Sequence, residues 1–384
     1  MTNRVFIIIF SLLLYLSGHA ALITRYEPLI NFFFVTSWWA YIILLDTLLS
    51  RKTKKFAFLN RHLPGMIIIS CGYWCFFEIM NLRLQDWYYI NIPYNAIMRY
   101  VGYFLAYGTV IPAICLTAQA LEPVLPHLRT RPFSVPNYFT RACLAGSALF
   151  VLALAVPEYF FGLTWVFGIL VIDGFNYRAG RRSFMADLEH GDPRRVLTAL
   201  LAGLICGAIW EAWNFLSPVR WVYTVPFLEH FKVFEMPIAG YIGFPVFAVE
   251  TIAFFDLFEG MRKSGRAIIM GIAILLSAVS FPLIDRHTVF SFTAPIENMG
   301  FLTDRDKEML LRSGARTNIS IDPDKIGPSE AKTLALVNLK GLGYDNYLKL
   351  KASDAAGVKA LKDMNDTELA RILGQRNLRR MHVY

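Results

Sequence analysis

Nine stretches of this chain are apolar for long enough to cross a lipid bilayer, and no other property restricts its fold as severely. They run over roughly 5–23, 29–50, 64–82, 98–121, 142–157, 160–176, 196–216, 236–258 and 267–284. About 20 predominantly apolar residues carry a helix across about 30 Å of hydrocarbon. Within that layer every backbone N–H and C=O must find its partner internally, which favours the helix for stretches of this length. Of the 384 residues, 55% are hydrophobic and only 17% are charged, against about a quarter charged in soluble domains. The expected fold class is an all-α polytopic membrane helical bundle.

Basic residues alternate between the connections. Connections 51–62, 122–141, 177–195 and 259–266 carry 5, 3, 5 and 3 Lys or Arg, whereas 24–28, 83–97, 158–159 and 217–235 carry at most 2 each. Short basic loops stay cytoplasmic. The expectation is a multi-pass protein of the cytoplasmic (inner) membrane, with its N-terminus inside and its C-terminal segment outside. Residues 142–176 are short for two crossings, yet a single crossing would export the Arg-rich 177–195 loop. Two helices joined by a tight turn at Pro157 are therefore expected. The first span, with Arg4 before it and "SGHAA" at its end, has the look of a signal peptide; the reading adopted is a retained helix, because later spans already direct the chain to the membrane. All five cysteines fall within spans, and no histidine pair has metal-ligand spacing. No metal or cofactor is expected.

Two of the spans carry the same polar signature. "FFEIMNLRLQDWYY" holds Glu78, Asn81, Trp87 and Tyr89, and "IWEAWNFLSPVRWVY" holds Glu211, Asn214, Trp221 and Tyr223. Upstream, Trp38, Asp46, Arg51 and Lys54-Lys55 match Trp165, Asp173, Arg178 and Arg181-Arg182 at identical spacing. Downstream, Pro93 matches Pro226 and Gly102-Tyr103 matches Gly240-Tyr241. A three-helix unit thus occurs twice, over about 33–121 and 160–258. Both copies begin on the same side, so they form a parallel repeat about an axis along the membrane normal, an arrangement that places sites at the repeat interface.

The candidate site residues are Glu78, Asn81, Glu211, Asn214 and Glu250. Glu78 and Asn81 share a helix face at i and i+3, as do Glu211 and Asn214. Acids within spans are costly and face protein or a wet cavity. A carboxylic acid held beside an amide suits proton delivery to an apolar substrate, and one acid from each half suits an acid–base pair. The structural alternative is that the glutamates pair with Arg83 and Arg220, or act as polar glue between helices. Glu250 lies deep in the third helix of the second unit, where Pro112 occupies the aligned place in the first. That asymmetry ranks it beside Glu211. Asp46 and Asp173, just before basic clusters, are expected to form helix-end salt bridges. Trp87, Tyr89, Trp221 and Tyr223 are expected to be interfacial anchors, with stabilisation of a cation as the sharper alternative.

Three-helix units with a membrane acid, a Trp-x-Tyr connection and a third helix bearing Pro and Glu (Pro245 with Glu250, Pro112 alone) resemble the membrane-embedded lycopene cyclase domain. The resemblance covers about 33–121 and 160–258, and implies protonation of an isoprenoid by membrane carboxylates. No Asp-x-x-x-Asp pattern stands in the spans to hold a magnesium diphosphate, which argues against prenyl transfer.

The membrane domain is expected over 1–284 and a small helical extramembrane domain over 285–384. "FLTDRDKEMLLRSG" reads as a helix with an acidic start and a glycine stop. Residues 329–373 resemble a helix-hairpin-helix module, with Gly341 and Gly343 in the hairpin and Asn365 or Asp366 capping the last helix. In DNA-binding versions the hairpin amides contact phosphate. An extracytoplasmic position and a modest net charge in the tail argue against nucleic acid as a ligand, and a protein partner of residues 300–384 is expected. The leading function is a membrane enzyme, cyclase- or isomerase-like, acting on an apolar isoprenoid or lipid-like molecule through acid–base chemistry between the repeats. The alternative is a non-catalytic membrane scaffold or assembly factor whose C-terminal domain binds a protein.

Overall fold

A computed structural model describes residues 2–224, 231–353 and 364–374. Among them, nine helices are long and apolar enough to span a membrane: Arg4–Thr24, Leu29–Thr53, Leu63–Leu84, Ala96–Leu121, Tyr138–Ala155, Pro157–Arg178, Arg194–Leu216, Ile238–Glu259 and Lys263–His287. The protein is an all-α membrane bundle. The fifth and sixth spans meet at Pro157, as its fixed φ and missing N–H favour. Spans two to four form one repeat and six to eight the other.

Small residues let neighbouring spans approach closely. A Cβ on Gly72 would come within 2.3 Å of Ala273 on the ninth span, and one on Gly203 within 2.4 Å of the Phe244 carbonyl on the eighth. The fourth span is two helices, Ala96–Tyr107 and Val110–Leu121. Ser70 bridges the break: its hydroxyl donates to the Tyr107 carbonyl at 2.7 Å and accepts from the Ile111 N–H at 3.1 Å.

Asp46 and Asp173 do not form salt bridges. Asp46 accepts the backbone N–H groups of Ala57, Phe58 and Leu59 at 2.8, 2.9 and 2.7 Å. Asp173 accepts those of Phe184 and Met185 at 2.7 and 3.1 Å, with the Ser183 and Tyr138 hydroxyls at 3.0 Å each. Each aspartate folds back the loop that follows its own helix. The basic residues beside them point elsewhere because backbone amides 11 to 13 positions on are already aimed at the carboxylate.

At the opposite end of the bundle, the two Trp-x-Tyr connections form short strands. Strand β1, Trp87–Ile90, and β2, Arg220–Tyr223, pair antiparallel, with Trp87 opposite Tyr223, Tyr88 opposite Val222 and Tyr89 opposite Trp221. In repeat numbering the pairing is reciprocal, Trp87 meeting the counterpart of Tyr89 and Tyr89 the counterpart of Trp87, which is the isologous pairing that a two-fold axis demands. The axis passes through the Tyr88–Val222 pair. Residues 288–293 run along the other edge of β1, where Tyr89 N–H donates to the Thr288 carbonyl at 3.0 Å and Phe290 N–H to the Tyr89 carbonyl at 2.8 Å.

Residues 294–373 have a core of their own, built on Leu310, Ile321, Leu334, Val337 and Leu350. Helix Asp304–Arg312 starts on the Thr303 cap and stops before Gly314 at φ +94°. Helices Pro328–Val337 and Tyr344–Ala352 flank Gly341 and Gly343, at φ +75° and +78°. The Asn365 side chain accepts the Glu368 N–H at 3.0 Å and caps Asp366–Leu373. Residues 354–363, the expected turn, and Pro226 lie outside the described residues. The hairpin faces the membrane domain: a Cβ on Gly341 would meet Ile90 at 2.4 Å, and one on Gly343 would meet Ser291 at 2.5 Å. Arg25 donates to the Ile321 carbonyl at 2.5 Å, and the Thr317 hydroxyl donates to Glu27. Burial raises the Glu27 carboxyl above its usual range.

Candidate functional site

Each repeat builds its half of the site in three steps. The middle helix ends on an asparagine whose amide captures the returning chain. Asn81 donates to the Trp87 carbonyl at 2.8 Å and accepts the N–H groups of Asp86 and Trp87 at 2.8 and 3.3 Å. Asn214 donates to the Trp221 carbonyl at 3.0 Å and accepts the Trp221 N–H at 3.1 Å. The chain then becomes a strand, in which residues i and i+2 share a face, so the Trp and Tyr of each motif point the same way. That face looks back at the glutamate one helical turn before the asparagine. Tyr89 donates to Glu78 Oε1 at 2.6 Å, and Tyr223 donates to Glu211 Oε1 at 2.8 Å.

The glutamates are not paired with Arg83 or Arg220. Arg83 donates to the Ala155 carbonyl at 3.3 Å, and Arg220 pairs with Glu235 at 3.2 Å. Nor are Trp87 and Tyr89 interfacial anchors, being each 7% exposed, while Trp221 and Tyr223 are half-buried in the cavity wall. The Trp87 indole and the Tyr89 and Tyr223 phenols turn inward because a buried carboxyl offers the acceptor they require when taken out of water. Burial and the adjacent carboxylates push the Tyr89 and Tyr223 phenols well above their usual range.

The halves differ in one exchange of volumes. Trp74, four residues before Glu78, aligns with Gly207; Ala106, four residues after Gly102, aligns with Phe244. In the first repeat the large residue comes from the middle helix, and in the second from the third. Phe244 fills the room left at Gly207, where a Cβ would lie 2.3 Å from its ring. The Trp74 indole donates to Glu78 Oε1 at 2.8 Å, and the Trp87 indole adds a bond at 3.2 Å. The Tyr107 hydroxyl donates to that of Tyr89 at 3.1 Å. Among the described residues Glu211 has Tyr223 alone, since Gly207 offers no donor where Trp74 does and the Trp221 indole makes no bond to it.

Between these walls lies a cavity of about 130 Å³, lined by both repeats: Trp74, Trp87, Tyr89, Gly102, Ala106 and Tyr107 from the first, and Trp210, Trp221, Tyr223, Gly240 and Phe244 from the second. It is comparable to an apolar cavity of about 150 Å³ known to hold benzene. The two carboxyls sit directly behind this lining. Arg99, also in the wall, is held by Asp285 at 2.7 Å, and the Tyr103 hydroxyl donates to Asp285 at 3.1 Å. Glu250 is not brought to the cavity. It packs on Gly168, where a Cβ would come within 1.9 Å of its Oε1, and its Oε2 has no hydrogen-bond partner. Matched positions do not reveal Trp74, Tyr107 and Phe244, because none has a like residue in the other half. Among the described residues, no cluster of three His, Cys, Asp or Glu could hold a metal.

No protein-family model, curated protein or solved structure matches this chain. The class defined by its own fold and site is a multi-pass membrane protein with a duplicated three-helix unit around an aromatic cavity.

Proposed function

We propose that this protein is a membrane enzyme that moves protons on an apolar isoprenoid or lipid-like molecule held between its repeats, in the manner of the membrane-embedded lycopene cyclase domain it resembles. One observation carries this reading: two symmetry-related Tyr–Glu pairs stand behind the wall of one aromatic cavity. A scaffold needs no cavity there. Aromatic walls suit an apolar ligand and any positive charge that develops on it. The cavity admits a ring or a short length of chain, and a longer molecule extends from it into lipid. Loop charge puts this end of the bundle, with the C-terminal domain, on the extracytoplasmic face of the cytoplasmic membrane. Gly341 and Gly343 are spent on Ile90 and Ser291, which supports an internal docking role for the hairpin over a nucleic-acid one.

The test is isotope exchange. The full-length protein in detergent is incubated with citral or squalene in deuterated buffer, and the recovered molecules are weighed for carbon-bound deuterium. The wild type is expected to incorporate label, and the Glu78→Gln/Glu211→Gln double variant to lose it by roughly 100-fold or more, the scale of general acid–base catalysis. Incorporation that is absent in the wild type, or unaltered in the double variant, rejects the enzyme reading.

A further inference from the structure

The two Tyr–Glu pairs share a register but differ in which lone pairs are already occupied. Building on the acid–base reading above, we infer that Tyr223–Glu211 is the pair that takes a proton from the bound molecule and returns it, whereas Tyr89–Glu78 is a fixed wall.

In the first repeat, Tyr89 donates to Glu78 Oε1 while its own oxygen accepts from Tyr107 at 3.1 Å. Glu78 Oε1 also accepts the Trp74 and Trp87 indoles at 2.8 and 3.2 Å. A carboxylate oxygen offers about two lone-pair directions, so three donors already crowd it. A proton arriving through Tyr89 would land on that oxygen and expel an indole N–H. In the second repeat, Tyr223 donates to Glu211 Oε1 at 2.8 Å, and among the described residues no other donor reaches that oxygen. The Trp221 indole approaches the Tyr223 oxygen, which keeps its second lone pair, and Tyr223 lines the cavity. The groups nearest this pair are engaged elsewhere: Glu235 with Arg220 at 3.2 Å, and Tyr241 with the Val233 carbonyl at 3.0 Å.

The step balances without a co-reactant. An O–H or activated C–H bond of the molecule breaks and its electron pair stays behind. The proton joins the Tyr223 oxygen, and the Tyr223 hydroxyl proton moves along its hydrogen bond to Glu211 Oε1. The Tyr223–Glu211 pair exchanges its protons with solvent, and the reverse sequence then delivers a proton to another atom of the same molecule, which is how deuterium from the buffer enters it. The reaction class is a proton shift, an isomerisation of an apolar molecule that bears an enol or an activated allylic position. The sequence origin of the difference is the exchange of Trp74 and Ala106 for Gly207 and Phe244, which gives Glu78 a donor that Glu211 lacks.

Dicyclohexylcarbodiimide, an apolar reagent, couples to carboxyls that can present a proton within a membrane. The full-length protein in lipid nanodiscs is treated with it, and the modified peptides are mapped by mass spectrometry. Glu211 is expected to label at least about 10-fold faster than Glu78. Trp74→Phe, which strips one donor from Glu78, is expected to raise labelling of Glu78 several-fold and leave that of Glu211 unchanged. Equal rates at the two glutamates, or faster labelling of Glu78, overturn the division of roles while leaving the acid–base reading to stand on isotope exchange. Absence of labelling at both glutamates also overturns it.

Discussion

The two repeats make the same turn with the same residues and then put different groups behind it. In both, a buried asparagine closes the helix and a tyrosine returns to a buried glutamate. In the first, Glu78 is wrapped by two indoles and a phenol, and the phenol is tied to a second tyrosine. In the second, Glu211 keeps one partner. The backbone device is the same in both halves, and the side chains that face the cavity are where they differ.

The largest expected contrast is at the asparagines. Asn81→Ala strands the Asp86 and Trp87 N–H groups and the Trp87 carbonyl, whereas Asn214→Ala strands only the N–H and carbonyl of Trp221. At roughly 1–3 kcal/mol for each orphaned buried group, Asn81→Ala should lower the thermal midpoint in detergent by more than Asn214→Ala. An equal or reversed order would show that the first connection is not the more tightly held.

A smaller effect is expected where volumes were exchanged. Gly207→Ala drives a methyl into Phe244 and should cost about 1–3 kcal/mol, as overpacking does. Adding Phe244→Ala should recover part of that loss. A double variant less stable than the sum of the two single variants would break the claim that the two positions share one space.

The smallest contrast concerns charge. The residue before each motif tryptophan is Asp86 in one repeat and Arg220 in the other; Arg220 has Glu235, while Asp86 Oδ2 is buried without a partner. Burial pushes the Asp86 carboxyl up to about 7, from 3.8. The folded state therefore binds more protons than the unfolded chain between those values, so stability falls as pH rises through that window and the full cost is present above it. Asp86→Asn should raise the thermal midpoint above that of the wild type near pH 8, and the gain should vanish near pH 4. A gain of equal size at both pH values would assign the effect to packing.

Much of the site could be read from spacing alone, and the part that could not has a physical explanation. Glu78, Asn81, Glu211 and Asn214 stood out because both copies keep them. Trp74 and Phe244 appeared as mismatches, since a large residue traded between two helices conserves volume while erasing identity. The motif aromatics suggested interfacial anchors because they fall at span ends; only the pairing of β1 with β2 turns them inward. Glu250 looked equivalent to Glu211 by depth in its helix, yet depth says nothing about which face of the helix meets the cavity.

By itself the sequence determined the all-α class, the nine apolar helices and, among the described residues, the helices of the C-terminal segment. Those follow from local apolar length, loop charge and capping, all of which act over a few neighbouring residues. The tertiary structure alone decided that strands from the two repeats pair about an axis, that Glu78 gathers three donors and Glu211 one, and that the Gly341 hairpin rests on Ile90. Those contacts join residues far apart in the chain. Their formation depends on which side chains fill shared space once the helices have packed.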